Sequence, residues 1–301
     1  MRLRSFSFMG IRGLDGLRQD LPKSNNTDLV VVRGGYTRGK TTFLDTIAAS
    51  KENIGAYGTP DGRWDSLVGS PTGAAKVRLD WEVSDNEQVR AALPEAFLSS
   101  ESILGKSLAP PEPPRVLKAL LTQPPAPDAG SIHYFHDTRD LSGPVSFGAA
   151  ETAFAERLST RNSKFADLYD LLDQPEKRAA RELGAARYSE LFPHLEIVGL
   201  RRTGVSFVPV IRNRDTNTER SYAQLSSSER HAFIMALYTA KAPIVDSIVM
   251  VDAPEIGFGD EGAIDLVRAL CRWTNRTQII VATASRAVAA MPEVGNLVVL
   301  P

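Results

Sequence analysis

The stretch LVVVRGGYTRGKTTFLDTIA, residues 29–48, constrains this chain more than any other. Leu29 to Val32 are apolar without alternation, which suits a strand buried on both faces. The run stops at Arg33-Gly34, and an apolar-periodic helix begins near Gly39-Lys40. Between them lies Gly34-Gly35-Tyr36-Thr37-Arg38-Gly39-Lys40-Thr41, which fits G-x-x-x-x-G-K-[ST]. The spacing has a physical cause. Glycines let the backbone wrap phosphate oxygens with N–H groups facing inward. The helix that follows adds the positive end of its dipole and its unpaired N–H groups. In such a loop Lys40 reaches the β- and γ-phosphates and the Thr41 hydroxyl holds Mg²⁺, with Thr42 in the same helical turn. The pattern also occurs in ordinary glycine-rich turns. Here the required strand precedes it and the required helix follows, so residues 34–42 are expected to bind a nucleotide.

Length and charge bound the rest. A chain of 301 residues suits one large domain, or a domain with an insertion. The formal net charge is -1, which gives no global signal for nucleic acid and leaves only a local patch open. The single cysteine, Cys271, excludes an internal disulfide and fits a reducing cytoplasm; in a helical pattern it reads as a small core residue. No apolar run approaches the ~18 residues of a membrane span, and MRLRSFSFMGIRGL is too polar for a signal peptide. A cytoplasmic protein without membrane spans is expected.

Along the chain, MRLRSFSF alternates with period two, and IRGLDGLRQDL reads as a turn and a second strand. The two would form an antiparallel hairpin beside the phosphate-loop strand. Residues 53–75 read as a long loop, AAKVRLDWEVSD as a strand, and residues 87–107 as weakly helical. LAPPEPPRVLKALLTQPPAPDAG reads as an exposed insertion, partly polyproline II, with a short helix at RVLKALL. In SIHYFHDTRD, His133 and His136 have a metal-like spacing but no third ligand nearby. Arg139 would face the nucleotide or pair with Asp137 or Asp140. Helices are expected over residues 149–191, then strands in VGLRR and VSFVPVI around a Thr203-Gly204 turn. No sustained heptad is present. SIVMVDAPE, TQIIVATAS and NLVVLP are further apolar strands. Apolar strands alternating with helices imply a parallel sheet covered on both faces.

Four features stand in one order: the phosphate loop, LSSSER at 225–230, IVMVDAPE at 248–255 and IIVATAS at 279–285. Together they resemble the ABC-type ATPases, and more closely the SMC/RecF-like branch with the OLD-type and AAA-labelled ATPases of bacterial genome defence and repair. MRLRSFSFMGIRGL and RYSELFPHLEIVGL are similar to that branch too. The resemblance implies an α/β P-loop NTPase with an ABC-like mixed sheet and flanking helices, an antiparallel N-terminal β-subdomain and a helical signature subdomain. As one ATPase domain over 1–301, it divides into hairpin and phosphate loop (1–52), a variable proline-rich insertion (53–150), a helical and signature part (151–240) and final strands (241–301).

The resemblance also implies roles. Asp252 would hold Mg²⁺ opposite Thr41. Ser226, Ser227, Ser228 and Glu229 would form the signature that contacts ATP held by a second subunit; the same residues also read as a plain helix cap. Two positions depart from the family. Its water-activating Glu is Ala253 here, and its switch His is Ala284. Losing a general base costs about 10²–10⁴-fold in rate. The expectation is ATP–Mg²⁺ binding with weak hydrolysis, in a homodimer or beside a paralogous ATPase subunit. Glu255 is the substitute candidate for positioning water. The last strand falls close to the end of the sequence, so an output activity is expected on a separate effector protein. Arg201, Arg202, Arg212, Arg214 and Arg220 offer a DNA-contact alternative, and a solvated β-arm is the plainer reading of them.

Overall fold

A computed structural model describes residues 1–23, 28–58, 62–105, 112–122, 130–141, 147–203, 206–241 and 244–301. The proline-rich stretches at 106–111 and 123–129, where a polyproline II segment is expected, lie outside the described residues, as does Gly204 of the expected hairpin turn.

The continuous apolar runs form one parallel sheet. Its strands are β3 (Leu29–Arg33), β6 (Ile132–Phe135), β10 (Ile248–Asp252), β11 (Gln278–Thr283) and β12 (Val294–Val299), in the order β12-β3-β11-β10-β6. Every neighbouring pair is parallel. Alternate side chains of β3, β10 and β11 enter different cores. Val30, Val32, Met250, Ile280 and Ala282 pack with Phe43, Leu44 and Ile47 of α1 (Lys40–Ile54). Leu29, Val31, Val249, Val251 and Val281 face the opposite way. They pack with Phe233 and Leu237 of α7 (Ser227–Lys241) and with Leu266 and Leu270 of α8 (Gly259–Trp273). Burial on both faces is why these strands lack polar alternation. Arg33 stands beside Thr283, Ala282 beside Asp252, and Val251 beside Phe135, so the four C-terminal strand ends share one edge of the sheet. In open parallel sheets, ligands bind at that edge.

A second, antiparallel sheet has the order β2-β1-β4-β5, from β1 (Arg2–Met9), β2 (Arg18–Asp20), β4 (Ala74–Glu82) and β5 (Phe97–Gly105). The β1–β2 pairing is the expected hairpin, but it does not lie beside the phosphate-loop strand: β1 pairs with β4, and β3 with β11 and β12. The weakly helical expectation for residues 87–107 is also corrected. α2 (Asp85–Ala91) is short, and β5 follows it. The inward residues of β5 include Ser100 and Ser102, which bond Trp81 Nε1 and Ser50 Oγ, so no apolar alternation marks the strand. Residues 53–150 thus supply β4 and β5 to this sheet, α3 (Arg115–Thr122) and β6.

The antiparallel sheet packs on α1, the helix that covers the parallel sheet, through Phe6 and Phe8 against Phe43. A polar tie adds to this. Buried Gln278, at the start of β11, donates to Leu3 O at 3.0 Å and accepts from Leu3 N–H at 2.7 Å.

The remaining elements are α4 (Ala150–Ala155), α5 (Leu168–Asp173), α6 (Arg178–Leu191), α9 (Arg286–Ala289) and a sheet β7-β8-β9. That sheet comprises β7 (Leu195–Thr203), β8 (Ser206–Asn213) and β9 (Thr218–Ser221). Its arginines are engaged within the chain. Arg201 and Arg212 pair with Glu219, Arg220 pairs with Glu229, and Arg214 donates to Pro193 O. No described helix is long and apolar enough to cross a membrane.

Gln278→Ala strands the Leu3 N–H and C=O in the interior, at about 1–3 kcal/mol for each group left unpaired. Urea unfolding should show a loss of about 2–6 kcal/mol; a loss under ~0.5 kcal/mol would mean this tie does not hold the two sheets together.

Candidate nucleotide and metal site

The sheet edge gathers most of the site. The phosphate loop leaves β3 and enters α1 at Lys40. Gly39 has φ 81°, and a Cβ there would stand 3.0 Å from Leu14 Cδ2, so both the backbone and the space call for glycine. Thr37 has φ 61°, which is costly for a β-branched residue, and its hydroxyl donates to Tyr36 O at 2.6 Å. The Lys40 ammonium donates to Gly35 O at 2.7 Å and lies 5.9 Å from the Tyr36 ring, so it folds back over the loop. Tyr36 is 88% exposed.

A cleft of about 380 Å³ is lined by Thr37 through Thr42 together with Arg12 and Gly13. Arg12 is a functional candidate that the sequence did not offer. It belongs to the turn after β1, and only the tertiary packing that seats Leu14 on Gly39 brings that turn to the loop.

Thr41 and Asp252 meet across 211 positions of sequence: Thr41 Oγ1 donates to Asp252 Oδ2 at 2.6 Å. Asp252 is the last residue of β10 and is 1% exposed. Burial pushes its carboxyl up to about 6; Asp137 and Asp45 add to the rise, while Thr41 and Arg139 oppose it. A buried carboxylate beside a threonine hydroxyl, next to a phosphate loop, is a set of hard oxygen donors that fits Mg²⁺.

Arg139 pairs with neither Asp137 nor Asp140. Its Nη1 donates to two main-chain carbonyls, His136 O at 2.9 Å and Asp252 O at 3.0 Å.

Beyond Asp252 the chain turns sharply. Ala253 N–H still donates to Ala282 O at 2.8 Å, but its φ is 46° and Pro254 follows. Neither Ala253 nor Ala284 places a polar side-chain group here. The Glu255 carboxylate is engaged on both oxygens: Oε2 accepts from Thr283 Oγ1 at 2.7 Å and Oε1 from Ala284 N–H at 2.8 Å. It clamps the turn after β10 to the end of β11.

The residues expected as a signature form a capping box on α7. Ser226 N–H donates to Glu229 Oε2 at 2.7 Å, and Glu229 N–H donates to Ser226 Oγ at 3.3 Å. Burial opposes ionisation of Glu229, but the Ser226 amide and hydroxyl and Arg220 outweigh it, so its carboxyl sits below the usual range. The turn after β10 presses on this cap. Gly257 has φ 83°, and a Cβ there would lie 2.9 Å from Ser227 Oγ and from Ser228 N. His231 Nδ1 lies 3.2 Å from Ile256 O, and burial, followed by the charge of Arg139, pulls its imidazole down to about 4. The side-chain hydrogen bonds of the Ser226–Glu229 cap therefore run within itself and to Arg220, while the phosphate loop bonds within itself, to Asp252 and, through Gly34 N–H, to Thr283 O.

No protein-family model and no curated protein matches the chain. Solved structures do. An Smc head bound to the C-terminal winged-helix domain of ScpA is 12% identical with a TM-score of 0.61, over 96% of this chain and 91% of that one. An Smc head with an extended coiled coil from Pyrococcus furiosus, bound to the C-terminal domain of ScpA, is 14% identical with a TM-score of 0.56, over 96% and 91%. The SMC head domain from Thermotoga maritima is 16% identical with a TM-score of 0.52, over 99% and 94%. The chain has the P-loop NTPase fold of SMC heads, with the mixed sheets and flanking helices expected of it.

Asp252→Asn tests the electrostatics. A carboxyl raised from 3.8 to about 6 is protonated more readily in the folded than in the unfolded chain. Its ionisation therefore costs stability progressively as pH rises between those values. The asparagine protein should be more stable at pH 7 by up to roughly 3 kcal/mol, with the difference vanishing below about pH 4. Denaturation across pH without nucleotide reads this directly; a difference that does not change with pH contradicts it.

Proposed function

We propose that this chain is an ATP-binding SMC-like subunit. Two copies, or one copy and a paralogue, would hold two ATP–Mg²⁺ between the phosphate loop of one and the Ser226–Glu229 cap of the other. The observation that carries this reading is the Thr41–Asp252 hydrogen bond, which joins the two expected metal ligands at the mouth of the phosphate loop. Mg²⁺, when bound, would neutralise phosphate charge. The chain's own residues would do the rest. Lys40 would reach the phosphates, the backbone of residues 34–39 would cradle them, and Thr41 and Asp252 would hold the metal. Exposed Ser226 and the N-terminus of α7 offer donors to a nucleotide on the opposing subunit.

Hydrolysis is weak in this reading. Ala253 and Ala284 supply no base and no phosphate donor, and Glu255 is held by Thr283 and Ala284 rather than free to orient water. ATP occupancy then acts as a clamp for a separate effector in cytoplasmic DNA repair or genome defence. A protein partner is supported by analogy with the solved heads that carry a ScpA domain. The intrachain pairing of Arg201, Arg212 and Arg220 favours the solvated β-arm over a DNA contact.

Light scattering with and without Mg-ATP, with phosphate followed in the same sample, tests the proposal. A dimer that forms with ATP and releases little phosphate is expected; many turnovers per minute would refute the clamp. Glu255→Gln should leave any residual turnover unchanged. A fall of about 10²-fold would instead make Glu255 the water-positioning residue.

A further inference from the structure

Among the described residues, Arg139 is a large cation buried at the nucleotide end of the sheet whose hydrogen bonding is half complete. It is 1% exposed, and its Nε and Nη2 have no partner. Burial pulls the guanidinium down to about 10, so it stays charged at neutral pH. A buried charge with unpaired donors is costly, and an aliphatic side chain of similar volume would pack there without that cost. Packing therefore does not explain it.

What the guanidinium does is specific. The β6–β10 ladder ends at the pair Phe135–Val251. One step beyond, Nη1 bridges His136 O and Asp252 O, so the side chain acts as an extra rung between the two strand ends. On the opposite side, Ala253 N–H donates to Ala282 O. Asp252 is thus pinned from both neighbours at the point where its carboxylate must aim at Thr41. Asp45 and Asp137 act on Asp252 as like charges, and Arg139 is the cation that offsets them. The neighbouring anion Glu255 is already engaged by Thr283 and Ala284.

We propose that Arg139 is a positioning residue: it fixes the end of β10 so that Asp252 presents its carboxylate to Mg²⁺ without the residue itself touching metal or nucleotide. This rests on the reading of Asp252 as a metal ligand. Removing it should loosen the metal-dependent part of nucleotide binding and leave the metal-independent part alone, because the phosphate-loop backbone and Lys40 do not depend on it.

The test compares ATP affinity by calorimetry in EDTA and in Mg²⁺ for the full chain and for Arg139→Met and Arg139→Gln, with thermal melting of each. In the unaltered chain, Mg²⁺ tightens ATP binding; if it does not, the metal reading of Asp252 fails and this inference fails with it. Given that tightening, both variants should melt cooperatively, bind ATP in EDTA within about twofold of the unaltered chain, and lose roughly 10–100-fold of the Mg²⁺ effect, as for other groups that orient metal ligands. Full retention of the Mg²⁺ effect in either variant overturns the proposal while leaving the metal reading intact. So does an equal loss in EDTA and Mg²⁺, or loss of cooperative melting in both, since each makes Arg139 a residue of the fold.

Discussion

A carboxylate held almost without water at the end of a parallel strand is the constraint on which the rest of the structure depends. Asp252 closes β10, a strand buried along its whole length, and burial raises its carboxyl to about 6. An interior position of that kind is tolerable only with partners. Each partner comes from a different element. Thr41 comes from the first turn of α1, Arg139 from the turn after β6, and the Ala253–Ala282 hydrogen bond fixes the chain just beyond. The parallel sheet exists, in functional terms, to bring these strand ends to one edge.

That edge also explains how the turn after β10 is disposed. The turn leaves Asp252 in a left-handed conformation at Ala253, is clamped to β11 through Glu255, and lays Gly257 on the α7 cap. Three short segments, after β10, after β11 and ahead of α7, therefore form one packed unit. A carboxylate that looks available in the sequence is, in the fold, a structural clamp. Both Glu255 oxygens are taken up by Thr283 and Ala284, which is the basis for proposing that this edge binds nucleotide but hydrolyses it weakly.

Much of this was legible in the sequence because the signals were of the kind sequence carries well. Leu29–Val32, Ile248–Val251 and Ile279–Val281 are apolar without alternation, and that alone implied a sheet covered on both faces. The phosphate loop fixed its own neighbours by spacing. β5 was not legible, because its inward positions include serines whose partners, Trp81 and Ser50, lie elsewhere in the chain. Arg12 was hidden for a similar reason, since its place in the cleft follows from packing between two sheets. Arg139 stands at a strand end in the sequence, but the Asp137 and Asp140 beside it are not its hydrogen-bond partners. A guanidinium is expected to seek carboxylates, whereas here it bonds main-chain carbonyls, which leave no mark in a sequence.

The proposed clamp holds ATP while hydrolysing it weakly or not at all. The most direct test is a single-turnover experiment. Stoichiometric Mg-ATP is bound, the complex is isolated by gel filtration, and the bound nucleotide is identified after increasing times. Recovery of ATP, intact over many minutes and co-eluting with a dimer, is the predicted result. Recovery of ADP at the earliest times, from a complex formed by this chain alone, would contradict the account and mean that Glu255, released from its clamp, or another group positions water.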